Sequence, residues 1–361
     1  MSDRVVVGMS GGVDSSVAAA LLRDEGYEVI GVTMRIWQCN AEDERETACC
    51  SLSAVHDATR VAEKLGIPFY VLDFRESFNA KVIDYFTAEY LQGRTPNPCI
   101  ACNQHIKFGA FLDKARGLGA QYIATGHYSR ISFDEKKGRY LLLCGEDKKK
   151  DQSYVLYNLT QEQLARTLFP LGMYTKVQIR QVAKELGLSV ADKAESQEIC
   201  FITDDNYKGF ISARVSADEI RPGPFLNTSG EVLGQHEGLP FYTVGQRKGL
   251  GLALGYPAYV VALDPASNSV IIGHLDENYQ RSLRAAENNF IALEKLDGPL
   301  KVEARIRYKA APAPAVITPC KDGRVEVRFA APQRAITPGQ SVVYYQGDVV
   351  IGGGIIDEVI Y

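Results

Sequence analysis

The residues best suited to chemistry form a short glycine-rich stretch near the start of the chain, Gly8-Met9-Ser10-Gly11-Gly12-Val13-Asp14-Ser15. The apolar run before this stretch predicts a buried strand, and the alanine-rich run after it, which ends at Gly26, predicts a helix. A strand, a glycine loop and a helix N-terminus in succession direct several backbone N–H groups at one anion. The stretch therefore predicts a phosphate-binding loop, with a simple glycine turn in an α/β domain as the alternative interpretation.

This loop differs from two common nucleotide-binding patterns. No Gly-Lys-Ser/Thr closes it, as a Walker loop requires, and the G-x-G-x-x-G spacing of a dinucleotide fingerprint is absent. Gly11 and Gly12 permit positive φ angles and a close approach of the backbone to a ligand, while Ser10 and Ser15 add hydroxyl donors. These features favour a nucleotide-binding loop of another class.

The cysteines form a second set of reactive side chains. The chain has 8 cysteines at irregular spacing, which is typical of reduced thiols rather than of a disulfide framework. Cys99 and Cys102 follow Thr95-Pro96-Asn97-Pro98, which predicts a stiff exposed loop, and Asn103 is expected to cap the next helix. Three interpretations of the pair stay open: half a zinc site, a redox disulfide, or one catalytic thiol beside an inert one. Structural zinc is disfavoured because no second pair of ligands follows.

The elements that must position these groups alternate between strands and helices through the first two hundred residues. This alternation predicts parallel βαβ units, with strands near 27–34, 69–74 and 122–128. Ligands of open α/β sheets bind at the carboxyl ends of the strands. Met34 and the turn Gly126-His127 fall at such ends, so we expect them to lie beside the first loop. Thr175 and Gln178 predict a capping box that starts a further helix.

The pattern changes near Arg221, where short β-rich runs separated by Gly, Asn and Asp replace the alternation. We predict a first domain over 1–207, a small central β-rich domain over 208–279 and a six- or seven-stranded antiparallel barrel over 280–361. The central domain carries a basic turn, 243–249, which suits a phosphate backbone or is a plain hairpin turn. Basic residues alternate along a predicted strand over 301–309, which indicates either a phosphate track or a solvated face.

Composition limits the class of protein. A chain of 361 residues is expected to form two or three domains. Its net charge of −4 argues against binding nucleic acid through overall charge, though not through local basic patches such as Lys148-Lys149-Lys150. A strand is predicted within a few residues of Met1, so we expect no secretory signal or transit peptide, and no apolar run approaches the roughly 18–20 residues of a membrane span. We expect a cytoplasmic protein that does not contact a membrane.

Several motifs, taken together and in order, resemble the bacterial tRNA-specific 2-thiouridylases, which belong to the PP-loop ATP pyrophosphatases. Besides the first loop they are Thr-Pro-Asn-Pro-x-x-x-Cys-Asn, Ala-Thr-Gly-His-Tyr, Lys-Asp-Gln-Ser-Tyr, Ser-Gln-Glu-Ile-Cys-Phe, Gly-Gln-Arg-Lys-Gly-Leu and Arg-Ile-Arg-Tyr-Lys. The resemblance spans nearly the whole chain. It implies an α/β fold with an N-terminal parallel-sheet domain, a small central β-rich domain and a C-terminal antiparallel β-barrel.

The resemblance also implies an activity and its residues. Enzymes of this family replace oxygen by sulfur at position 2 of the wobble uridine, using ATP and Mg²⁺ and forming AMP and pyrophosphate. The implied catalytic residues are Cys102 and Cys200, with the persulfide on Cys200. The implied ATP-binding residues are Gly8, Met9, Ser10, Gly11, Gly12, Val13, Asp14, Ser15, Met34 and Gly126. The implied contacts are with the target base at Asn97, Pro98 and Cys99, and with tRNA at His127, Lys150, Asp151, Gln152, Arg307, Tyr308 and Gln340.

The implied sulfur chemistry has two forms. In the first, Cys102 either attacks the persulfide to release sulfide or forms a Cys102–Cys200 disulfide. In the second, ranked lower, Cys99, Cys102 and Cys200 ligate a 4Fe-4S cluster whose fourth iron carries sulfide. Some family members have aspartate where this chain has Cys99, which puts an acid–base role for that position in doubt. Apart from that cluster, no residues are predicted to ligate a metal.

The implied partners are wobble-uridine tRNAs, such as those for Lys, Glu and Gln, and a sulfur-donor protein, either a cysteine desulfurase or a relay protein. We expect a monomer when the protein is free. Three other functions compete with this one. A small-molecule PP-loop ligase would need neither the cysteines nor the barrel, and a noncatalytic RNA-binding protein would not need an intact Ser-Gly-Gly-Val-Asp-Ser. A thiol-disulfide oxidoreductase would carry its C-x-x-C at the first helix of a thioredoxin-like unit, not after Pro-Asn-Pro.

Overall fold

The computed structural model describes residues 2–37, 52–194, 199–202 and 206–361. The chain divides into two compact units. Unit 1 comprises 1–82, 99–205 and 348–350, and unit 2 comprises 83–98, 206–347 and 351–361. Cys39, Cys49 and Cys50, which the sequence gives no catalytic role, lie outside the described residues.

The described α-helices are α1 (Val13–Asp24), α2 (Leu52–Leu65), α3 (Arg75–Phe78), α4 (Asp84–Leu91), α5 (Pro98–Ala101), α6 (Phe111–Gly117), α7 (Gln161–Ala165), α8 (Lys176–Glu185) and α9 (Tyr207–Ser212). Two π-helical segments continue helices, Asn79–Ile83 between α3 and α4 and Cys102–Ala110 between α5 and α6. Single turns of 3₁₀-helix occur at Ser153–Leu156, Leu239–Phe241 and Asp276–Asn278.

Unit 1 is built on a parallel sheet. The strands of unit 1 are β1 (Arg4–Gly8), β2 (Glu28–Arg35), β3 (Phe69–Asp73), β4 (Tyr122–Ala124), β5 (Ser129–Asp134), β6 (Arg139–Cys144) and β7 (Thr167–Leu168). Of these, β5 and β6 form an antiparallel hairpin that is not part of the parallel sheet. The sheet order is β3-β2-β1-β4-β7, and every pair is parallel. β1 is therefore central, and the loop that follows it opens at the carboxyl edge of the sheet, as the alternation predicts.

The core of unit 1 explains why these segments form. Val5, Val6 and Val7 are 0% exposed, as a strand covered on both faces requires. Val17 to Ala20 of α1 are also 0% exposed, so the alanine-rich sequence lets this helix pack closely against the sheet and against α8. The alanines provide helix propensity and, because they are small, a short packing distance.

Unit 2 contains α4 and α9, which pack through aromatic rings, with Phe86 and Phe210 at 6.1 Å and Tyr90 and Tyr207 at 5.6 Å between centroids. Its first sheet has the order β10-β11-β8-β9 and consists of β8 (Gly223–Asn227), β9 (Val232–His236), β10 (Tyr259–Asp264) and β11 (Ser269–Gly273). The remaining strands are β12 (Tyr279–Phe290), β13 (Leu300–Arg305), β14 (Ala313–Pro319), β15 (Val325–Arg334), β16 (Ser341–Gln346) and β17 (Val349–Ile360).

These last strands close into a barrel in the order β12-β15-β14-β13-β16-β17, because β12 pairs with both β15 and β17. The predicted fold class, a parallel-sheet domain followed by a β-rich domain and an antiparallel barrel, is confirmed, with six strands in the barrel. Within the described part of the chain, no helix has the length and apolar character needed to cross a membrane.

Two local predictions are wrong. The strand expected over 301–309 ends at Arg305, and Arg307 to Lys309 lie in a turn, so the alternating basic residues do not share one strand face. Asn103 does not cap a helix, because the helix already begins at Pro98. Proline is favourable in the first helical turn, where its missing N–H costs nothing. Asn103 is instead buried, and its Nδ2 donates to Val155 O at 2.9 Å.

Candidate active site

The loop between β1 and α1 is held in a conformation that only glycine permits at one position. Gly11 has φ +68°, and a Cβ built on it would lie 2.2 Å from Ala54 O in α2. The Ser15 hydroxyl accepts from Ser10 N at 3.1 Å and donates to Gly12 O at 3.2 Å, which ties the two ends of the loop together. The first N–H groups of α1 have no intrahelical partners and carry the positive end of the helix dipole. The loop can therefore receive a phosphate group.

Met34 and Gly126 reach the same loop, as the sequence predicts from their places at strand ends. The methyl carbon of Met34 lies 3.2 Å from the position a Cβ would take on Gly8. A Cβ on Gly126 would lie 2.8 Å from Ser15 N and 2.9 Å from the Cβ of Asp14. The turn after β4 therefore sits directly on the start of α1, and the three predicted parts of the nucleotide site come together in unit 1.

An ion pair that the sequence did not predict fixes the aspartate of the loop. Lys176 Nζ lies 2.7 Å from both carboxylate oxygens of Asp14, and the Tyr128 hydroxyl donates to Asp14 Oδ1 at 2.7 Å. The side chain of Lys176 is only 9% exposed, and that of Asp14 is 31% exposed. A carboxylate beside a phosphate site would repel the ligand, so the ammonium group offsets this charge and orients the carboxylate.

A second lysine holds the backbone of the loop. Lys193 Nζ donates to Gly11 O at 3.1 Å and to Asp57 Oδ2 of α2 at 2.7 Å. Gly11 is thus fixed from two sides, by contact with α2 and by this bridge. Neither lysine stands in a motif that indicates a nucleotide site. The sequence feature that comes nearest to indicating Lys176 is the capping box of Thr175 and Gln178. The structure confirms this capping box, and Lys176 is the first residue of α8.

The predicted catalytic cysteines both lie in unit 1. Cys99 is exposed in α5, whereas Cys102 is buried at the start of the π-helical segment, and Cys200 is half-buried. Phe201 next to Cys200 packs edge-to-face on Phe78 of α3 with ring centroids 5.7 Å apart. α3 in turn packs against the segment that begins with Cys102. The segments that carry Cys102 and Cys200 therefore both pack against α3 in unit 1. Direct contact between the two thiols stays a prediction.

The lower-ranked iron–sulfur alternative does not fit the described residues. Cys99, Cys102 and Cys200 are all among them, and across residues 2–37, 52–194, 199–202 and 206–361 no three His, Cys, Asp or Glu side chains gather as metal ligands. The three thiols are thus not arranged as a ligand set for such a cluster.

Two of the four predicted tRNA-contacting residues of unit 1, His127 and Asp151, are buried. His127 is 7% exposed, the centre of its ring lies 5.8 Å from that of Phe108, and its Nδ1 is 2.7 Å from Thr125 Oγ1. Burial, together with the charge of Lys107, holds the pKa of His127 well below its ordinary value, so the imidazole is neutral. Contact of His127 with tRNA stays a prediction.

The segment Lys150-Asp151-Gln152 is fixed by its own hydrogen bonds. Asp151 is 5% exposed and accepts from Gly145 N at 3.1 Å and from the Ser153 hydroxyl at 2.9 Å. Gln152 bonds the backbone of Tyr128 twice, through its side-chain oxygen at 3.0 Å and its own N–H at 2.9 Å. This segment therefore braces the strand end that carries Gly126, whatever part Lys150 has in binding tRNA.

In unit 2, Gln340 is bonded to the segment that precedes the predicted base-contacting residues. Its Nε2 donates to Thr95 O at 2.8 Å and to Pro96 O at 3.3 Å, while Thr95 N donates to Pro338 O at 2.9 Å. Gln340 thus positions the backbone that leads into Asn97 and Pro98. Tyr308 is 38% exposed beside Arg307, so both can be reached from solvent at the turn after β13.

Comparison with known proteins identifies the family. Family models match residues 3–204 (tRNA methyl transferase HUP domain), 208–274 (tRNA methyl transferase PRC-barrel domain) and 280–356 (aminomethyltransferase beta-barrel domain). The tRNA-specific 2-thiouridylase MnmA of Moorella thermoacetica is 61% identical over 98% of this chain and 99% of its own length. This chain belongs to the tRNA-specific 2-thiouridylase family. The resemblance inferred from the motifs is confirmed.

Other 2-thiouridylases are similarly close. That of Pelotomaculum thermopropionicum is 58% identical over 98% of this chain and 97% of its own length. That of Clostridium perfringens is 57% identical over 99% of both chains. The similarity covers the parallel-sheet domain, the central domain and the barrel alike, so it concerns the whole architecture.

Substitution of Gly126 by alanine tests the nucleotide site. The added Cβ would lie 2.8 Å from Ser15 N, so either the start of α1 or the turn that carries Gly126 must shift. We expect the KM for ATP to rise at least about tenfold, since a misplacement of about 1 Å can cost ~100-fold. Steady-state pyrophosphate release measures this. The matched control is Gly117→Ala, where a Cβ meets nothing within 4 Å. Equal KM values for both variants would contradict the assignment of Gly126.

Proposed function

We propose that this chain is an ATP-dependent tRNA sulfurtransferase that replaces the 2-oxygen of a wobble uridine by sulfur and releases AMP and pyrophosphate. The observation that carries the proposal is the gathering of Gly8–Ser15, Met34 and Gly126 at the N-terminus of α1. It occurs in a chain that is 61% identical, nearly end to end, to a named 2-thiouridylase.

The nucleotide site activates the oxygen. The loop amides, the hydroxyls of Ser10 and Ser15 and the start of α1 bind the phosphates, and the room left by the missing Cβ of Gly126 brings the turn after β4 close to them. The uridine 2-oxygen attacks the α-phosphorus, the bond to the β-phosphate breaks, and pyrophosphate leaves. Mg²⁺ accompanying ATP would lessen the phosphate charge further. The Lys176 ammonium group offsets the charge of the Asp14 carboxylate, which would otherwise repel the phosphates.

The cysteines then deliver sulfur. The terminal sulfur of a Cys200 persulfide attacks C2 of the base, and AMP leaves with the former uridine oxygen. The Cys102 thiolate attacks Sγ of Cys200, so the S–S bond breaks, the sulfur stays on the base and a Cys102–Cys200 disulfide forms. An external thiol must reduce this disulfide before the next turnover. In the alternative order, Cys102 attacks first and the released sulfide attacks C2.

The substrate contacts follow the family pattern. Asn97, Pro98 and Cys99 approach the target base. The residues that contact the tRNA are His127, Lys150, Asp151, Gln152, Arg307, Tyr308 and Gln340. The bonds from Gln340 to Thr95 and Pro96 support a positioning role for this glutamine. A cysteine desulfurase or a relay protein supplies the persulfide sulfur, and the preferred substrates are tRNAs with uridine at the wobble position.

Reconstitution tests the function directly. Purified protein, ATP, Mg²⁺, unmodified tRNA transcript and a persulfide donor should yield 2-thiouridine, measured by mass spectrometry of nucleosides, with one AMP and one pyrophosphate per sulfur. The matched substrate control is the same transcript with cytidine at the wobble position, which should accept no sulfur. Thiolation without AMP formation, or of other uridines only, would contradict the proposal.

A further inference from the structure

The turn after β13 is connected to the end of β15. Arg307 Nη2 donates to the backbone oxygen of Arg334 at 2.7 Å, and Arg334, the last residue of β15, is exposed. Tyr279 lies opposite Arg334 in the strand register and is 43% exposed, while Tyr308 follows Arg307. Two arginines and two exposed aromatic rings therefore share one end of the barrel.

This surface continues onto the β-rich domain within unit 2. The Arg334 guanidinium lies 5.5 Å from the ring centre of Tyr259, the first residue of β10. Ala335, the next residue, occupies the space that a side chain on Gly245 would need, because a Cβ there would lie 2.8 Å from that of Ala335. The basic turn 243–249 therefore lies directly against the end of β15.

Hydrogen bonds fix the backbone of the turn 243–249, which carries the exposed cations Arg247 and Lys248. Gly245 N donates to Val260 O at 2.8 Å, and the Gln246 side chain bonds Thr243 N and Lys248 O, each at 3.0 Å. Arg247 and Lys248 are exposed on this turn. Among the residues that the structure describes, neither they nor Arg334 forms an ion pair with a carboxylate, so their charge is available to a partner.

Arg247 also lines a groove of about 760 Å³ together with Gly251, Gly255 and Tyr256. Tyr256 is 40% exposed, and its ring stacks on that of His274 with centroids 4.5 Å apart. Unneutralised cations interleaved with exposed aromatic rings are typical of surfaces that bind nucleic-acid backbone and unpaired bases. The chain as a whole has a net charge of −4, so this is a local concentration of positive charge.

We propose that Arg334, Arg247 and Lys248 bind phosphates of the tRNA backbone, extending the interface from the barrel turn at Arg307 to the turn 243–249. This inference rests on the proposed function and names surface contacts beyond the family-implied set. An acidic protein partner, such as the sulfur donor, is the competing occupant, and the experiment separates the two.

The test measures binding of a wobble-uridine tRNA transcript to the full-length protein over a range of KCl concentrations. For Arg334→Ala combined with Arg247→Ala and Lys248→Ala, we expect affinity near 0.1 M salt to fall at least about tenfold. The slope of log K against log salt should become shallower by about 0.7–0.9 for each lost phosphate contact. The KM for ATP should not change. Arg334→Lys should retain the wild-type slope, because it keeps the charge.

Lys321→Ala is the matched control. Lys321 is exposed in the turn that precedes β15, roughly 30 Å from Arg334 by the rise of a ten-residue strand. It should leave both affinity and slope unchanged. A triple variant that binds tRNA with wild-type slope, or that loses only binding of the donor protein, overturns the inference. A wild-type protein that does not bind tRNA overturns the proposed function instead.

Discussion

Substitution of Cys200 by serine is expected to abolish formation of 2-thiouridine, by about 10³-fold or more, because serine cannot carry a sulfane sulfur. Adenylation of the uridine, the first step of the proposed reaction, should still occur in this variant. Pyrophosphate should still appear in a burst equal to the enzyme concentration, since Gly8–Ser15 and Gly126 do not depend on the thiol. Rapid-quench measurement of pyrophosphate alongside nucleoside analysis separates the two steps.

Cys320→Ser is the control for this variant, since Cys320 is similarly half-buried but lies in the barrel. It should thiolate at the wild-type rate. Cys102→Ser should also form pyrophosphate, but it should stop with sulfur attached to Cys200 or turn over very slowly. A Cys200→Ser protein with more than a tenth of wild-type thiolation would remove the persulfide from the proposed mechanism.

Substitution of Lys176 by methionine is expected to destabilise the protein and to impair ATP use together. Breaking a fully buried ion pair costs about 3–5 kcal/mol, and we expect roughly 2–3 kcal/mol here because solvent screens part of the charge. Asp14 is 31% exposed, which is the source of that screening. The uncompensated carboxylate should also raise the KM for ATP at least about tenfold. Urea unfolding and steady-state kinetics measure the two effects.

The matched control lies on the same helix. Lys184 pairs with Asp192 at 3.1 Å, but both side chains are more than half exposed, so Lys184→Met should change stability by less than about 0.5 kcal/mol. Asp14→Asn combined with Lys176→Met should be more stable than Lys176→Met alone, since no unpaired charge remains. If Lys176→Met and Lys184→Met behave alike, the ion pair does not fix the loop.

The conformation of the loop between β1 and α1 and the elements on either side of it could be predicted from the sequence, because they depend on local features. Glycine at position 11 is required by a positive φ, and the strand and helix on either side follow from apolar and alanine-rich runs. Met34 and Gly126 were found by a rule of topology, that parallel strands end at one edge of the sheet. The capping box at Thr175 is similarly local.

The ion pair of Asp14 with Lys176 could not be predicted from the sequence. Its partners are 162 residues apart, and no pattern indicates which lysine folds back onto the loop. The same holds for Lys193 and for the bonds of Gln340 to Thr95. These contacts are tertiary, and they decide how rigid the predicted site is. The end of β13 at Arg305 was missed for a related reason, since alternation of charge does not show where pairing to a neighbour stops.

The proposed reaction has two parts: the loop between β1 and α1 makes the uridine oxygen leave, and the cysteines bring the sulfur. It is tested most directly with tRNA carrying ¹⁸O at the 2-position of the wobble uridine, in a single-turnover reaction with ATP and a persulfide donor. We predict that the ¹⁸O is recovered in the phosphate of AMP, with one label per 2-thiouridine formed. Label recovered in pyrophosphate or in water, with unlabelled AMP, would contradict adenylation of the base.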